Sequence, residues 1–254
     1  MKKKLGALFA ALVLGGAVFS ENYTKGIDIQ FGIPISATKM KSEGNWESLS
    51  AELAQKIFEV GGQFKVATYD CFLLNDMLGI YASVGVNLGF FGTDTEATVS
   101  VGGKSYTVSG SEISERTEGM ISSMDAVGFM TSLEFMVGPA FGVNLGGVRF
   151  QTGLAFHAVF GWGFSYEDSD PYDYSENTKV KVRYNALGLA LTPQFRFGAS
   201  KRCSFVLGCD LVFDFPKKLT YEKGHFENKI NFTREFDKGF RFGATPYIGL
   251  GINF

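Results

Sequence analysis

Proline is scarce in this 254-residue chain, six residues in all, and no low-complexity run divides it, so a single domain is expected. A basic excess is missing as well. The formal net charge of -2 leaves no stripe of Lys and Arg to neutralise a phosphate backbone, which excludes nucleic acid as a partner. Cysteine is limited to Cys71, Cys203 and Cys209, an odd set that leaves at least one thiol unpaired within the chain. On an extended strand Cys203 and Cys209 would stand about 20 Å apart, too far for a disulfide. No His or second Cys sits at ligand spacing from any of the three, so neither a metal nor a cofactor is expected. Apolar runs long enough to cross a membrane as a helix are absent after the first 20 residues.

Phe and Gly are abundant instead, at 26 and 32 residues, a combination that suits aromatic-faced strands with a close-packed opposite face. The amino-terminus reads Lys2, Lys3 and Lys4, an apolar stretch from Leu5 to Phe19, and small residues at Val18 and Ser20. This is the three-part pattern of a secretory signal, expected over residues 1–20, with the mature chain as residues 21–254. No Cys follows the apolar stretch, so a lipid anchor on the first mature residue is not expected.

The mature part alternates with period two. Ile27, Ile29, Phe31, Ile33 and Ile35 oppose Asp28, Gln30, Gly32 and Pro34. Phe58, Val60, Phe64 and Val66 oppose Glu59, Gln63, Lys65 and Tyr69, and a third strand sets Ile80 to Phe90 against Tyr81 to Gly89. A fourth runs from Val127 to Val137, with Phe129, Leu133 and Phe135 against Ser132 and Glu134. The fifth sets Phe150, Leu154, Phe156, Phe160, Trp162 and Phe164 against Arg149, Gln151, Gly153, His157 and two glycines. In the sixth, Leu187, Leu189, Leu191, Phe195 and Phe197 face one way and Gln194 and Arg196 the other. Its upper end, Val180, Val182 and Tyr184, is out of phase, and a bulge near Asn185 and Ala186 is expected to reconcile the halves. The seventh sets Phe205 to Phe215 against Asp210 and Asp214, and the eighth sets Phe240, Phe242, Ile248, Leu250, Ile252 and Phe254 against Arg241, Thr245 and Tyr247.

Eight such strands predict an all-β fold, an antiparallel, transmembrane up-and-down barrel with long outer loops. The connections agree: about 37–57, 92–126, 167–179 and 216–239 are long and fall outside, whereas about 70–77, 138–147 and 198–202 are short and fall inside. Aromatics gather near both strand ends, as interfacial girdles do. A soluble barrel with its apolar face inward is the rival, but those aromatics would overfill an eight-stranded lumen.

The last strand, with Tyr247, Gly249, Ile252 and Phe254, and the architecture of the whole mature chain resemble small eight-stranded outer-membrane β-barrel proteins of the outer-membrane protein A and W families. That resemblance implies location in the outer membrane, lipid as a partner, and those four residues as the signal read by the barrel assembly machinery. It does not imply peptidoglycan anchoring, because no further domain is expected after the barrel.

The polar faces bring together Asp28, Glu59, Lys65, Glu134, Arg149, Arg196, Asp210, Asp214 and Arg241. In so narrow a barrel they are expected to form a cross-lumen charge network. Eight-stranded barrels include lipid-modifying enzymes that use His beside Ser and an acid, but His157 lies mid-strand in the lumen and His225 in a charged outer loop without a nearby Ser, so no catalytic group is expected. The acidic loop 167–177 lacks the spacing of a calcium site. Trp46, Leu49, Leu53 and Ile57 share a helical face after a cap at Asn45, and a short outer helix is expected there. Val99, Val101, Tyr106 and Val108 around Gly102 and Gly103 predict a projecting hairpin. The function expected from these features is a non-enzymatic outer-membrane protein, structural or a narrow small-solute pore. The alternatives are a surface adhesin whose outer loops bind host or small hydrophobic ligands and, least supported, a lipid-modifying enzyme.

Overall fold

The computed structural model describes residues 26–46, 49–74, 76–101, 104–109, 127–167, 178–198, 202–216, 218–225 and 228–253. The signal expected over residues 1–20, nearly all of the acidic loop 167–177 and Phe254 lie outside the described residues. Among the described residues thirteen strands form one antiparallel sheet. They are β1 (Gly26–Gly32), β2 (Ile35–Trp46), β3 (Leu49–Leu73), β4 (Leu78–Val101), β5 (Lys104–Ser109), β6 (Val127–Leu145) and β7 (Val148–Glu167). Then come β8 (Thr178–Leu191), β9 (Gln194–Phe197), β10 (Cys203–Asp214), β11 (Lys218–His225), β12 (Asn228–Glu235) and β13 (Lys238–Asn253).

Eight staves close the sheet into a ring: β1 with β2, β3, β4, β6, β7, β8 with β9, β10 and β13. Closure is made between the two chain ends, where Gly26 pairs with Asn253 and the register runs on to Gly32 opposite Tyr247. The prolines explain why one stave is written as two strands. Pro34 separates β1 from β2 and Pro193 separates β8 from β9, because proline has no N–H to give to the ladder. Their carbonyls still accept, from Gly61 N at 3.1 Å and Cys209 N at 3.1 Å, so the wall stays continuous through each interruption.

At the inner end the turns are tighter than the sequence suggests. β6 and β7 meet through Gly146 and Gly147 alone, with Leu145 paired to Val148 and Gly146 at φ +70°, the positive first central residue of a type II′ hairpin. At the outer end the strands continue past the barrel. β2 and β3 pair without interruption up to Trp46 opposite Leu49, so the helix expected after Asn45 is replaced by a β-hairpin. The physical reason is pairing on both sides of β3: Leu53 meets Ser42 on β2 and Ala97 on β4, and this ladder satisfies a backbone that an isolated turn of helix would leave exposed. The hairpin expected at Gly102 and Gly103 is present as β4 and β5, with Val101 opposite Lys104. A second outer sheet joins β7, β8, β11 and β12, and His225 ends β11 opposite Asn228.

The outward face is apolar along the barrel. Phe58, Phe64, Leu88, Phe156, Leu187, Leu189, Ile248 and Leu250 are all exposed, Phe156 by 74%. Aromatic contacts band both ends: Phe90 with Phe129 and Phe213 with Phe242 outside, Phe150 with Phe195 and Phe197 with Phe205 inside. Exposed rings at this density would be untenable in water and are the expected surface in hydrocarbon. The bulge expected in the sixth stave is not there. β8 pairs with β7 in one unbroken register from Leu191 to Thr178, and Val182, Tyr184 and Ala186 simply point inward, in phase with Ala190, Gln194 and Arg196.

Phe156 lies near the middle of β7 and faces outward, so Phe156→Arg should destabilise the barrel by about 2–4 kcal/mol in lipid vesicles, whereas Arg substituted at outward Asn185, nearer the outer end of the belt and opposite Lys218, should cost less than about 1 kcal/mol. Urea titration of tryptophan fluorescence in vesicles measures both.

Candidate functional site: the filled lumen

Side chains entering from the eight staves fill the barrel in layers. Near the inner mouth, Asp28 on β1 receives the Arg196 guanidinium from β9 and the Gln194 amide at 3.0 Å. Gln194 also donates to Gln151 at 3.1 Å and accepts from Gln30 and Tyr247. Arg196 continues to Asn253 Oδ1 at 2.6 Å and Ser204 at 3.3 Å. A second pair, Lys65 on β3 with Asp210 on β10, crosses the lumen with both side chains 1% exposed, and the ammonium sits 4.2 Å from the centroid of the Tyr247 ring.

The third group is the largest. Arg241 on β13 donates to Asp214 at 2.8 Å and Glu59 at 3.3 Å, and lies 3.8 Å from Glu134. His157 bridges the same carboxylates, with Nδ1 2.7 Å from Asp214 Oδ1 and Nε2 3.9 Å from Glu134 Oε2. Gln63 and Asn87 donate to Glu134 at 3.0 and 2.8 Å, and Ser36 to Glu59 at 2.7 Å. Buried charges of both signs are held as pairs, with neutral donors added at Asp28, Glu59 and Glu134, because an isolated one would be strongly disfavoured in so dry an interior.

Eight of the nine charged residues marked in the sequence therefore sit in the lumen. Arg149 does not join them. It stands half-buried at the inner mouth, where its guanidinium meets Asn144 Oδ1 at 3.0 Å and the Asp76 carbonyl at 2.5 Å, since β7 begins at Val148 and its second residue is already at the rim. The four terminal-signal residues do not share a face: Tyr247 is buried in the lumen, Gly249 lies against Gln30, Ile252 faces outward, and Phe254 is outside the described residues.

An apolar layer over the network is the feature that periodicity did not reveal. Met40, Ile57, Phe91, Met130, Val159, Val182 and Phe236 are buried together above the Glu59 and Arg241 pair, with Tyr184 among them. The signal was in the phase: Phe91 and Met130 follow directly on outward Phe90 and Phe129, and Val182 is in step with Gln194. Glycine makes the layer fit. A Cβ on Gly161 would lie 2.2 Å from the Tyr184 ring, and one on Gly208 2.5 Å from the Tyr247 ring, so each tyrosine lies flat on bare backbone of a neighbouring stave. A lower apolar cluster of Tyr69, Tyr81, Cys71 and Met136 closes the inner half in the same way, with Tyr69 donating to the Thr192 carbonyl at 2.7 Å. All three cysteines are free thiols. Among the described residues no group of His, Cys, Asp and Glu is arranged to hold a metal ion.

No protein-family profile and no curated protein matches the chain. Solved structures similar to it include a major outer membrane protein from Thermus thermophilus, at 14% identity and TM-score 0.47, covering 88% of this chain and 99% of that one. The outer membrane protease OmpT from Escherichia coli is similar at 8% and 0.40, covering 94% and 100%. The outer membrane protein OprG from Pseudomonas aeruginosa is similar at 10% and 0.39, covering 91% and 97%.

Lys65→Met leaves Asp210 buried and alone, and should destabilise the barrel by about 3–5 kcal/mol, while the double variant Lys65→Met with Asp210→Leu recovers most of that loss. A double-mutant cycle by urea unfolding in vesicles reads the difference.

Proposed function

We propose that the protein is a non-enzymatic barrel of the bacterial outer membrane with a closed lumen, acting as a membrane-anchored scaffold for its two outer β-sheets. The observation that carries this reading is the apolar layer of Met40, Phe91, Met130, Val159, Val182 and Phe236 stacked on the Arg241 network. An ion crossing the barrel would have to leave water at that layer and then break buried pairs, and both steps oppose flow. The same burial argues against chemistry at His157, whose side chain is 0% exposed and held between two carboxylates from other staves. Substrate has no path to it.

A surface-binding role is the second reading, and the outer sheets favour it. Among the described residues β5 pairs only with β4 and β12 only with β11, so each sheet ends on an open edge beyond the membrane, and Tyr106 on β5 is 61% exposed. Open edges of this kind accept an added strand.

Purified protein in planar bilayers should give no unit conductance steps at any applied voltage, and discrete steps would overturn the closed-lumen reading. Cells carrying the chain with residues 104–109 deleted should lose binding to immobilised matrix protein if the second reading holds; equal adhesion sets it aside.

A further inference from the structure

The outer aromatic band is interrupted between Phe242 on β13 and Phe90 on β4, and the lining of that stretch is built like a lipid site. Two rungs of the wall cross the same four strands, β13, β2, β3 and β4. The lower rung is Phe242, Ala37, Phe58 and Gly92, and the upper is Phe240, Lys39, Lys56 and Asp94. On the lower rung small residues alternate with rings, and a Cβ placed on Gly92 would meet nothing within 4 Å. The result is an outward groove of about 590 Å³ with apolar walls of Phe58, Phe240 and Phe242 and a floor at Ala37.

Charge closes the upper end. Lys56 is held mainly by Glu96, with Asp94 more distant at 3.6 Å and its side chain 53% exposed. Lys41, one step further out, is taken by Glu52 at 2.5 Å. Lys39 is exposed on the same face, forms no direct ion pair among the described residues and acts on Glu96 only at longer range. The groove therefore offers the Lys39 ammonium and the half-engaged Asp94 carboxylate, two strand spacings or about 10 Å apart at the backbone, directly above an apolar slot. An anionic lipid would leave Asp94 repelled and a purely apolar ligand would leave Lys39 unused.

We propose that this groove binds a zwitterionic phospholipid of the phosphoethanolamine class, with an acyl chain over Ala37 between Phe58 and Phe242, the phosphate on Lys39 and the terminal ammonium on Asp94. This rests on the membrane placement proposed above. Its recognition is by both charges at once, the phosphate meeting Lys39 and the headgroup amine joining the more distant Lys56 on the half-exposed Asp94 carboxylate.

Native mass spectrometry of the full barrel released from detergent, with dioleoyl phosphatidylethanolamine or dioleoyl phosphatidylglycerol added, tests it. The wild-type barrel should retain one phosphatidylethanolamine in preference to phosphatidylglycerol by roughly threefold or more, as an exposed ion pair allows. Ala37→Trp, which fills the slot, should abolish retention of both, and Asp94→Asn should keep retention and erase the preference. Gly92→Leu fills the same slot from another strand and stands in if Ala37→Trp misfolds. Equal retention by wild type and the slot-filling variants, or no preference in the wild type, overturns the proposal. Each protein is also run unheated and heated on a detergent gel: a heat-modifiable shift establishes the folded barrel, and its absence in the wild type overturns the membrane reading and the lipid site together.

Discussion

Everything in this molecule depends on the pairing of its first strand with its last. Lipid offers no hydrogen bonds, so a spanning sheet is stable only when no strand edge remains, and the rungs from Gly26 opposite Asn253 to Gly32 opposite Tyr247 remove the two edges that an open sheet would keep. The wall tolerates proline because the ring needs continuity of acceptors as much as of donors. Pro246 sits inside β13, and its carbonyl accepts from Ile33 N at 3.0 Å beside the break at Pro34. Beyond the apolar belt that demand lapses, and there the sheet opens into two separate tongues with free edges among the described residues.

Closure also sets the interior. Eight staves leave room for side chains and little else, so residues pointing inward must satisfy one another. The lower lumen does so with charge, through Asp28 with Arg196 and Lys65 with Asp210, beside the apolar cluster of Tyr69 and Tyr81, and the middle with the cluster around Arg241. The upper lumen does so with apolar packing. Bare backbone at inward glycines lets bulky rings lie against the wall, which is how a narrow barrel holds Tyr184, Phe91 and Tyr247 without widening. Inside and outside are thereby inverted only in part: lipid meets a uniformly apolar surface, while the lumen mixes polar and apolar layers according to depth.

Period-two alternation makes most of the architecture legible, because each lipid-facing residue on a strand forces its neighbours inward. The eight staves, the long outer and short inner connections and eight of the nine lumen charges follow from it. It misleads where apolar residues face the lumen. The chemistry of Val182 and Tyr184 points to the lipid side, and only a bulge could carry them there; the ladder between β7 and β8 shows that phase, not polarity, decides the side. Ile57 likewise fits a helical face, yet its strand has partners on both flanks.

Local alternation, together with the cost of leaving a charge in hydrocarbon, is enough to set the membrane-facing pattern, the number of crossings and the identity of the buried charges, and all of this can be read along the chain. Which charge meets which, that Arg149 stands apart at the mouth, that an apolar layer seals the lumen, and that Ala37 and Gly92 open a slot beneath Lys39 and Asp94 emerge only in three dimensions. Those features depend on register between strands distant in sequence, and a shift of one residue in any rung would reassign every one of them.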